Sequence, residues 1–529
     1  MLSPAGVGVM AARSCDTARL PEPELPMTCL TWHLRPPRRL TRRLTRLAAA
    51  WVCTAAAAGL PGAAGAMPVA PVTGAPGGAA ATTPAAALAP AALQVPPLAV
   101  QRRMLDNGLE VLSLPEGGSG SVSVQVWYRV GGKDDPAGRS GFAHLFEHLM
   151  FKATKHLKAE QFDRLTEDVG GENNAFTAED VTAYQNLVPA HHLERLLWAE
   201  AERMSNLQVD DASFKSERAV VQEEFRQRVL ASPYGLLFNA IEPNAFEQHP
   251  YRRPVIGSIE DLDAASLEDV RRFHATYYRP DNAILIVTGD FEPRQLDAWV
   301  DRYFGPLTRP ATQIPRVQVA EPVRRSPRVV ALQGPNVPLP AVVQIWQGPA
   351  ANSADAPVWQ VVQALLAAGD ASRLNEALVY RQQVARSAGF SAQLNADAGY
   401  LMAYAIAAGQ RTPQSLVAPL MREIERLARG PIPAAELDKV KTLLLTSAVN
   451  ERQTPLGLGN LLGTAAINLG DAGQVNRELA QLQAVTAADV QRVLRQSVLG
   501  RPAVTLHYTQ QRAAPAAPAR TQTQTQAGG

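Results

Sequence analysis

The chain has 529 residues, 46% of them hydrophobic and 19% charged, with a formal net charge of +2. That length is too great for one ordinary domain, so at least two cores are expected, and the composition is that of a globular chain. Residues 1–66 carry eight arginines against three acids, leaving 43 basic and 46 acidic residues beyond them. Such a balance offers no surface for nucleic acid.

The N-terminal stretch reads as an export signal. Arg35, Arg38, Arg39, Arg42, Arg43 and Arg46 form a basic region, followed by 14 mostly apolar residues from Leu47 to Leu60. Ala64-Gly65-Ala66 then supplies a small-x-small cleavage pattern. Residues 1–66 are therefore expected to be a signal peptide, with Met1 or Met27 as the start, and the destination to be the periplasm. An uncleaved anchor or a buried Ala-rich helix is the competing reading. Cys15, Cys29 and Cys53 all lie in this stretch, so its removal leaves no thiol for a nucleophile, a disulfide or a metal.

Residues 67–97, rich in Ala, Pro, Gly and Thr, read as a disordered spacer, and residues 509–529 as a low-complexity tail. What lies between looks duplicated. SVSVQVWYRV (121–130) alternates like a strand, and LPAVVQIWQG (339–348) repeats it, with Trp346 following Trp127 by 219 positions. LEDVRRFHATYYRPDNAILIV (267–287) reads as helix, turn and buried strand. Its echo is AADVQRVLRQSVLGRPAVTLHY (487–508), where Asp489 follows Asp269 by 220. Two halves are expected, 98–307 and 329–508, joined by a Pro-rich linker at 308–328. Each mixes alternating strands with amphipathic helices, among them Leu157–Val169, His191–Asn206 and Pro357–Ala368. The fold class is α+β, each half a mixed or antiparallel sheet covered by helices.

The segment GFAHLFEHLMFKAT (141–154) carries the chemistry. His144 and His148 are four apart, so on a helix both project from one face and can share one zinc ion. Glu147, one residue before the second histidine, faces the same space as a general base, the inverse of the commoner His-Glu-x-x-His order. Apolar neighbours support a helix, with Ser140 as its N-cap. A histidine pair at this spacing is more often structural than ligating, so a third ligand is needed. In SERAVVQEEFRQR (216–228), Glu217 and Glu224 are two turns apart on one face. Glu224 is expected to bind the metal and Glu217 to orient a ligand behind it, while Glu223 points to solvent. A charge-rich helix is also commonly just a solvated face.

His-x-x-Glu-His followed 76 residues later by a glutamate within Glu-Arg-x-Val-Val-x-x-Glu resembles the pitrilysin family of zinc peptidases, which includes insulin-degrading enzymes and mitochondrial processing peptidases. GGENNAFTAEDVTAY (170–184), HPYRRPVIG (249–257) and YYRPDNAILIVTGDF (277–291) match it too. The resemblance spans about residues 100–508. It implies a two-half zinc metallopeptidase in which Asn174 and Ala175 offer main-chain groups to an extended substrate.

No His-x-x-Glu-His follows residue 150. A shift of 219 sets Gln363, Leu366 and Ala367 against His144, Glu147 and His148, so the second half is expected to bind no metal. The resemblance also implies an Arg and a Tyr seven apart in that half, to clamp substrate. Val379 and Arg386 stand at those places, and Arg373 with Tyr380 keeps the spacing six positions too early. The resemblance thus points to a dimer, with a homologous metal-free subunit as partner. Two other readings stay open, a non-catalytic assembly subunit of the same fold and an envelope metal-binding or transport protein.

Overall fold

The computed structural model describes residues 94–511. The expected signal peptide, nearly all of the spacer and nearly all of the tail lie outside the described residues.

Two mixed sheets form the frame. The first contains β1 (Gln101–Met104), β2 (Glu110–Pro115), β3 (Ser121–Tyr128), β4 (Glu172–Thr177), β5 (Thr182–Pro189) and β6 (Ala283–Gly289) in the order β1-β2-β6-β3-β5-β4. The second contains β7 (Arg328–Gly334), β8 (Ala341–Gly348), β9 (Ala385–Leu394), β10 (Gly399–Ala407) and β11 (Val504–Gln510) in the order β7-β11-β8-β10-β9. β2 pairs β6 in parallel, as β7 pairs β11, and every other pairing is antiparallel. Apart from β1 the two sheets therefore share one topology, and the α+β class with two similar halves holds. β4 and β9 end their sheets as free edges.

Helix Leu267–Tyr277 opens on a capping box between Ser266 and Asp269, and helix Ala487–Ser497 opens on one between Thr486 and Asp489. The aspartates spaced by 220 thus do the same work, each side chain returning to the N-cap amide. The tryptophans do not correspond. Trp127 faces the other half's helix beneath β3, whereas Trp346 packs among the helices of its own half. A one-residue slip moves a side chain to the opposite face of a strand, so the structural offset of β3 to β8 has even parity, unlike 219.

The two halves cover each other's sheets. One face of the first sheet carries helices of its own half, centred on Val124, Val126, Phe146 and Leu197. Its other face, through Leu112, Trp127, Ala183 and Ile286, buries Leu458, Leu462 and Ala465 of helix Pro455–Asn468 from the second half. Reciprocally, Leu237, Ile241 and Ala245 of the first half pack on Val343, Ile345, Leu506 and Tyr508 of the second sheet. Small residues permit the close crossing: a Cβ on Gly463 would stand 2.2 Å from the Trp127 ring.

Some expected helix bounds shift. The first begins at Gln161 instead of Leu157, because residues 155–157 form a bend and 159–160 a turn in which Glu160 takes a positive φ of 67°. The second is helical from Leu193 to Asn206 after a 3-10 turn at Ala190–His192, and the third runs Ala356–Ala367. No helix among the described residues is long and apolar enough to cross a membrane.

Candidate metal centre

The histidine helix runs Phe142–Leu149 and is buried along its whole length. Ser140 does not cap it. The N-cap is Gly141, at φ 90°, and Ser140 instead donates its hydroxyl to Asp261 at 2.5 Å. Asp135 serves the helix start from six residues upstream, accepting from the Gly141 and Ala143 amides at 2.6 and 2.8 Å. Glycine is required at 141 for two reasons: the left-handed φ, and a chain crossing at Gly257, where a Cβ on residue 141 would stand 2.9 Å from the Ile256 carbonyl oxygen. The HPYRRPVIG segment is thus what the histidine helix starts against.

The glutamate helix, Asp211–Phe225, lies alongside and ends in a π-helical turn over Arg226–Leu230. Glu224 comes off its last turn toward both histidines. Glu224 Oε2 stands 3.4 Å from His144 Nε2 and 3.5 Å from His148 Nε2. One ligand atom from each of the three residues lies within 4.8 Å of the others, and no further group of this kind exists among the described residues. Both Nε2 atoms are buried without a hydrogen-bond partner. Glu224 also lacks a hydrogen bond, although Arg228 pairs with its Oε1 at 2.6 Å outside hydrogen-bonding angles. Buried polar atoms are nearly always satisfied, so two orphaned imidazole nitrogens converging on a carboxylate fit a divalent cation of the zinc type.

The remaining expected residues are placed around this cluster. Glu147 Oε2 lies 3.3 Å from His144 Nδ1 and accepts the Thr177 hydroxyl at 2.8 Å. Glu217 Oε2 lies 3.7 Å from His148 Nδ1, and its other oxygen takes Lys152 at 2.6 Å. Glu223 is exposed. Asn174 and Ala175 sit on the β4 edge, the former exposed and the latter buried.

The electrostatics are mutually reinforcing. Burial opposes charge on His144, but Glu147 and Glu224 more than offset it and lift its pKa to about 10. Burial likewise opposes charge on Glu147, and the His144 imidazole beside it prevails and holds the carboxyl below its ordinary range. Burial also pushes Glu224 up, and the two histidines override it, drawing it well below that range. In metal-free protein the cluster holds its charges by pairing them. A metal would take the place of the imidazole protons.

Thr177, Lys152, Arg228 and Asp135 escaped the sequence reading. Thr177 alone left a usable signal: it shares the strand parity of Ala175, and so the face turned to the histidine helix. In the second half, Arg373 makes a bidentate pair with Glu436, 2.7 Å at each oxygen, and Tyr380 is largely exposed. Val379 is half-buried and Arg386 exposed.

Sequence profiles match both halves: "Insulinase (Peptidase family M16)" over residues 111–258 and "Peptidase M16 inactive domain" over 264–444. The zinc protease PqqE of Helicobacter pylori is 35% identical over 344 residues, 64% of this chain and 76% of that protein. The crystal structure of a protease from Helicobacter pylori superposes with a TM-score of 0.75 at 29% identity, covering 78% of this chain and 99% of that one. The periplasmic protease PqqL from Escherichia coli shares the fold at 19% identity, with a TM-score of 0.63, covering 80% of this chain but 48% of the longer PqqL chain.

Proposed function

Because the chain belongs to the insulinase family, peptidase family M16, we propose that it is a zinc metalloendopeptidase acting on peptides or unfolded polypeptides, with one zinc per chain. The observation that carries this reading is the convergence on Glu224 of two buried imidazole nitrogens that make no hydrogen bond, with Glu147 beside them. His144, His148 and Glu224 would hold the metal, and Glu217 would orient His148. Zinc bound there would supply Lewis-acid polarisation of the scissile carbonyl and make a neighbouring water acidic enough to lose a proton near neutrality.

The chain's own residues do the rest. Glu147, ionised by its pairing with His144, accepts the proton of the attacking water and delivers it to the departing amine. Both contacts to Glu147 fall on Oε2, so Oε1 is the oxygen that takes the proton. The β4 edge receives the substrate as an added strand through main-chain groups at Asn174 and Ala175, a mode that reads backbone more than side chains.

The catalytic unit in this reading is a dimer, with a homologous metal-free subunit or a second copy of the chain as partner. PqqL, of which this chain matches about half, supports that stoichiometry. The basic and apolar N-terminal stretch supports export to the periplasm. Cleavage of a peptide library by wild type and Glu147→Gln, each with and without the co-purified partner, tests the whole reading. Zinc-dependent cleavage abolished by Glu147→Gln is expected. Zinc binding without cleavage under any condition would favour the alternative, an assembly subunit that has kept the fold.

A further inference from the structure

The base Glu147 stands on the histidine helix, but its hydrogen-bond donor stands on the sheet. Thr177 ends β4, is buried, and gives its hydroxyl to Glu147 Oε2 at 2.8 Å. The same oxygen receives His144 Nδ1 at 3.3 Å. Among the described residues, Thr177 makes the hydrogen bond that ties the carboxylate to a group outside its own helix.

Its position along the strand gives that contact a second meaning. On one side of Thr177 lies the free edge Glu172–Phe176, whose strand partner within the sheet is β5. On the other side the chain turns at once, with the Ala178 amide donating to the Val181 carbonyl at 2.8 Å. That turn is pinned to the second half through Asp180, which takes the Ala396 amide at 3.0 Å and also the Tyr251 hydroxyl of its own half at 2.6 Å. Thr177 therefore sits between a fixed anchor and an edge that is paired on one side only. An edge strand gains rigidity when a further strand adds to it.

We infer that Thr177 is a positioning residue that couples occupancy of the β4 edge to the aim of the Glu147 carboxylate. This rests on the peptidase reading and deepens it. The substrate class it selects is an extended peptide long enough to pair along β4, since a short peptide binds the centre without ordering the strand that holds the base. A misplacement of about 1 Å in a reacting group lowers turnover by about 100-fold.

The test uses the full chain, with its co-purified partner if there is one, as wild type, Thr177→Ser and Thr177→Val. Zinc content, crystal structures and kcat and KM for unstructured peptides of increasing length are measured. All three proteins should bind one zinc. Thr177→Val should lose kcat by about 10- to 100-fold with KM little changed, and Thr177→Ser should restore it. In wild type, kcat should rise with peptide length, and in Thr177→Val that rise should vanish. In the Thr177→Val crystal the Glu147 carboxylate should swing from its place beside His144. Wild-type kcat in Thr177→Val, or a Glu147 that does not move, overturns the inference. A wild type that cleaves nothing would defeat the peptidase reading alone, since the crystals still decide whether Thr177 holds Glu147.

Discussion

Asp397, in the turn between β9 and β10, lies 2.8 Å from the ammonium of Lys133 in the opposite half. Lys133 also pairs with Asp180 at 2.7 Å, and the Tyr251 hydroxyl, which donates to Asp180, accepts the Asp397 amide at 3.1 Å. The C-terminal half is thus fastened to the hairpin that carries Thr177. Asp180 is buried and Asp397 is 38% exposed at its side chain. Removing the buried charge strands its partners, whereas the exposed one is screened by water. Asp180→Asn should cost about 2–4 kcal/mol and Asp397→Asn about 0.5–1 kcal/mol. Urea unfolding at low and high salt checks both, and only the Asp397 effect should shrink with salt.

A carboxyl pair at the same seam makes stability depend on pH. Glu179 and Glu242 are buried and share a hydrogen bond. Burial first, and the neighbouring Glu179 second, raise Glu242 well above its ordinary value of 4.5. The folded protein then keeps a proton that the unfolded chain has released. The contribution is fully present below pH 4.5 and is lost as pH rises toward the folded-state pKa. Glu242→Gln, which mimics the protonated form, should melt above wild type at pH 8, and the gap should close by about pH 5. Melting curves across that range decide it, and parallel curves would refute the assignment.

Gly463 is where helix Pro455–Asn468 crosses Trp127. That indole is 2% exposed, donates to Gln125 at 2.8 Å and meets Phe176 edge-on at 5.3 Å. An alanine Cβ 2.2 Å from the ring cannot be absorbed by rotation. Gly463→Ala should destabilise by about 1–3 kcal/mol through overpacking, outweighing the helix-propensity gain of alanine. Thermal unfolding measures it.

At the metal centre, ligand and base variants should separate. His148→Ala and Glu224→Ala should lose the metal, while Glu147→Gln should keep it and lose about 10²- to 10⁴-fold in kcat. Glu217→Gln should weaken zinc about 10- to 100-fold if, as proposed, Glu217 orients a ligand without being one. Metal analysis after dialysis, set against turnover and its chelator sensitivity, checks all four. Equal zinc loss in Glu147→Gln and His148→Ala would break the division of roles.

The sequence by itself determined what repeats locally. The four-residue step from His144 to His148 and the seven-residue step from Glu217 to Glu224 are helix arithmetic, and the capping residues Asp269 and Asp489 betrayed two halves of one plan. The strands that carry Trp127 and Trp346 were equally visible, but a shift of one position decides which face a residue takes, and only the sheet register supplied that. Tertiary structure alone decided that Asp135, not Ser140, takes the amides at the start of the histidine helix, that each half lays a helix on the other's sheet, and that Thr177 reaches Glu147 while Asp180 is bound from the far half. Periodicity is written in neighbouring residues and survives in the bare chain. Contacts such as Gly463 on Trp127 join positions more than three hundred apart, and they exist only once folding has closed that loop.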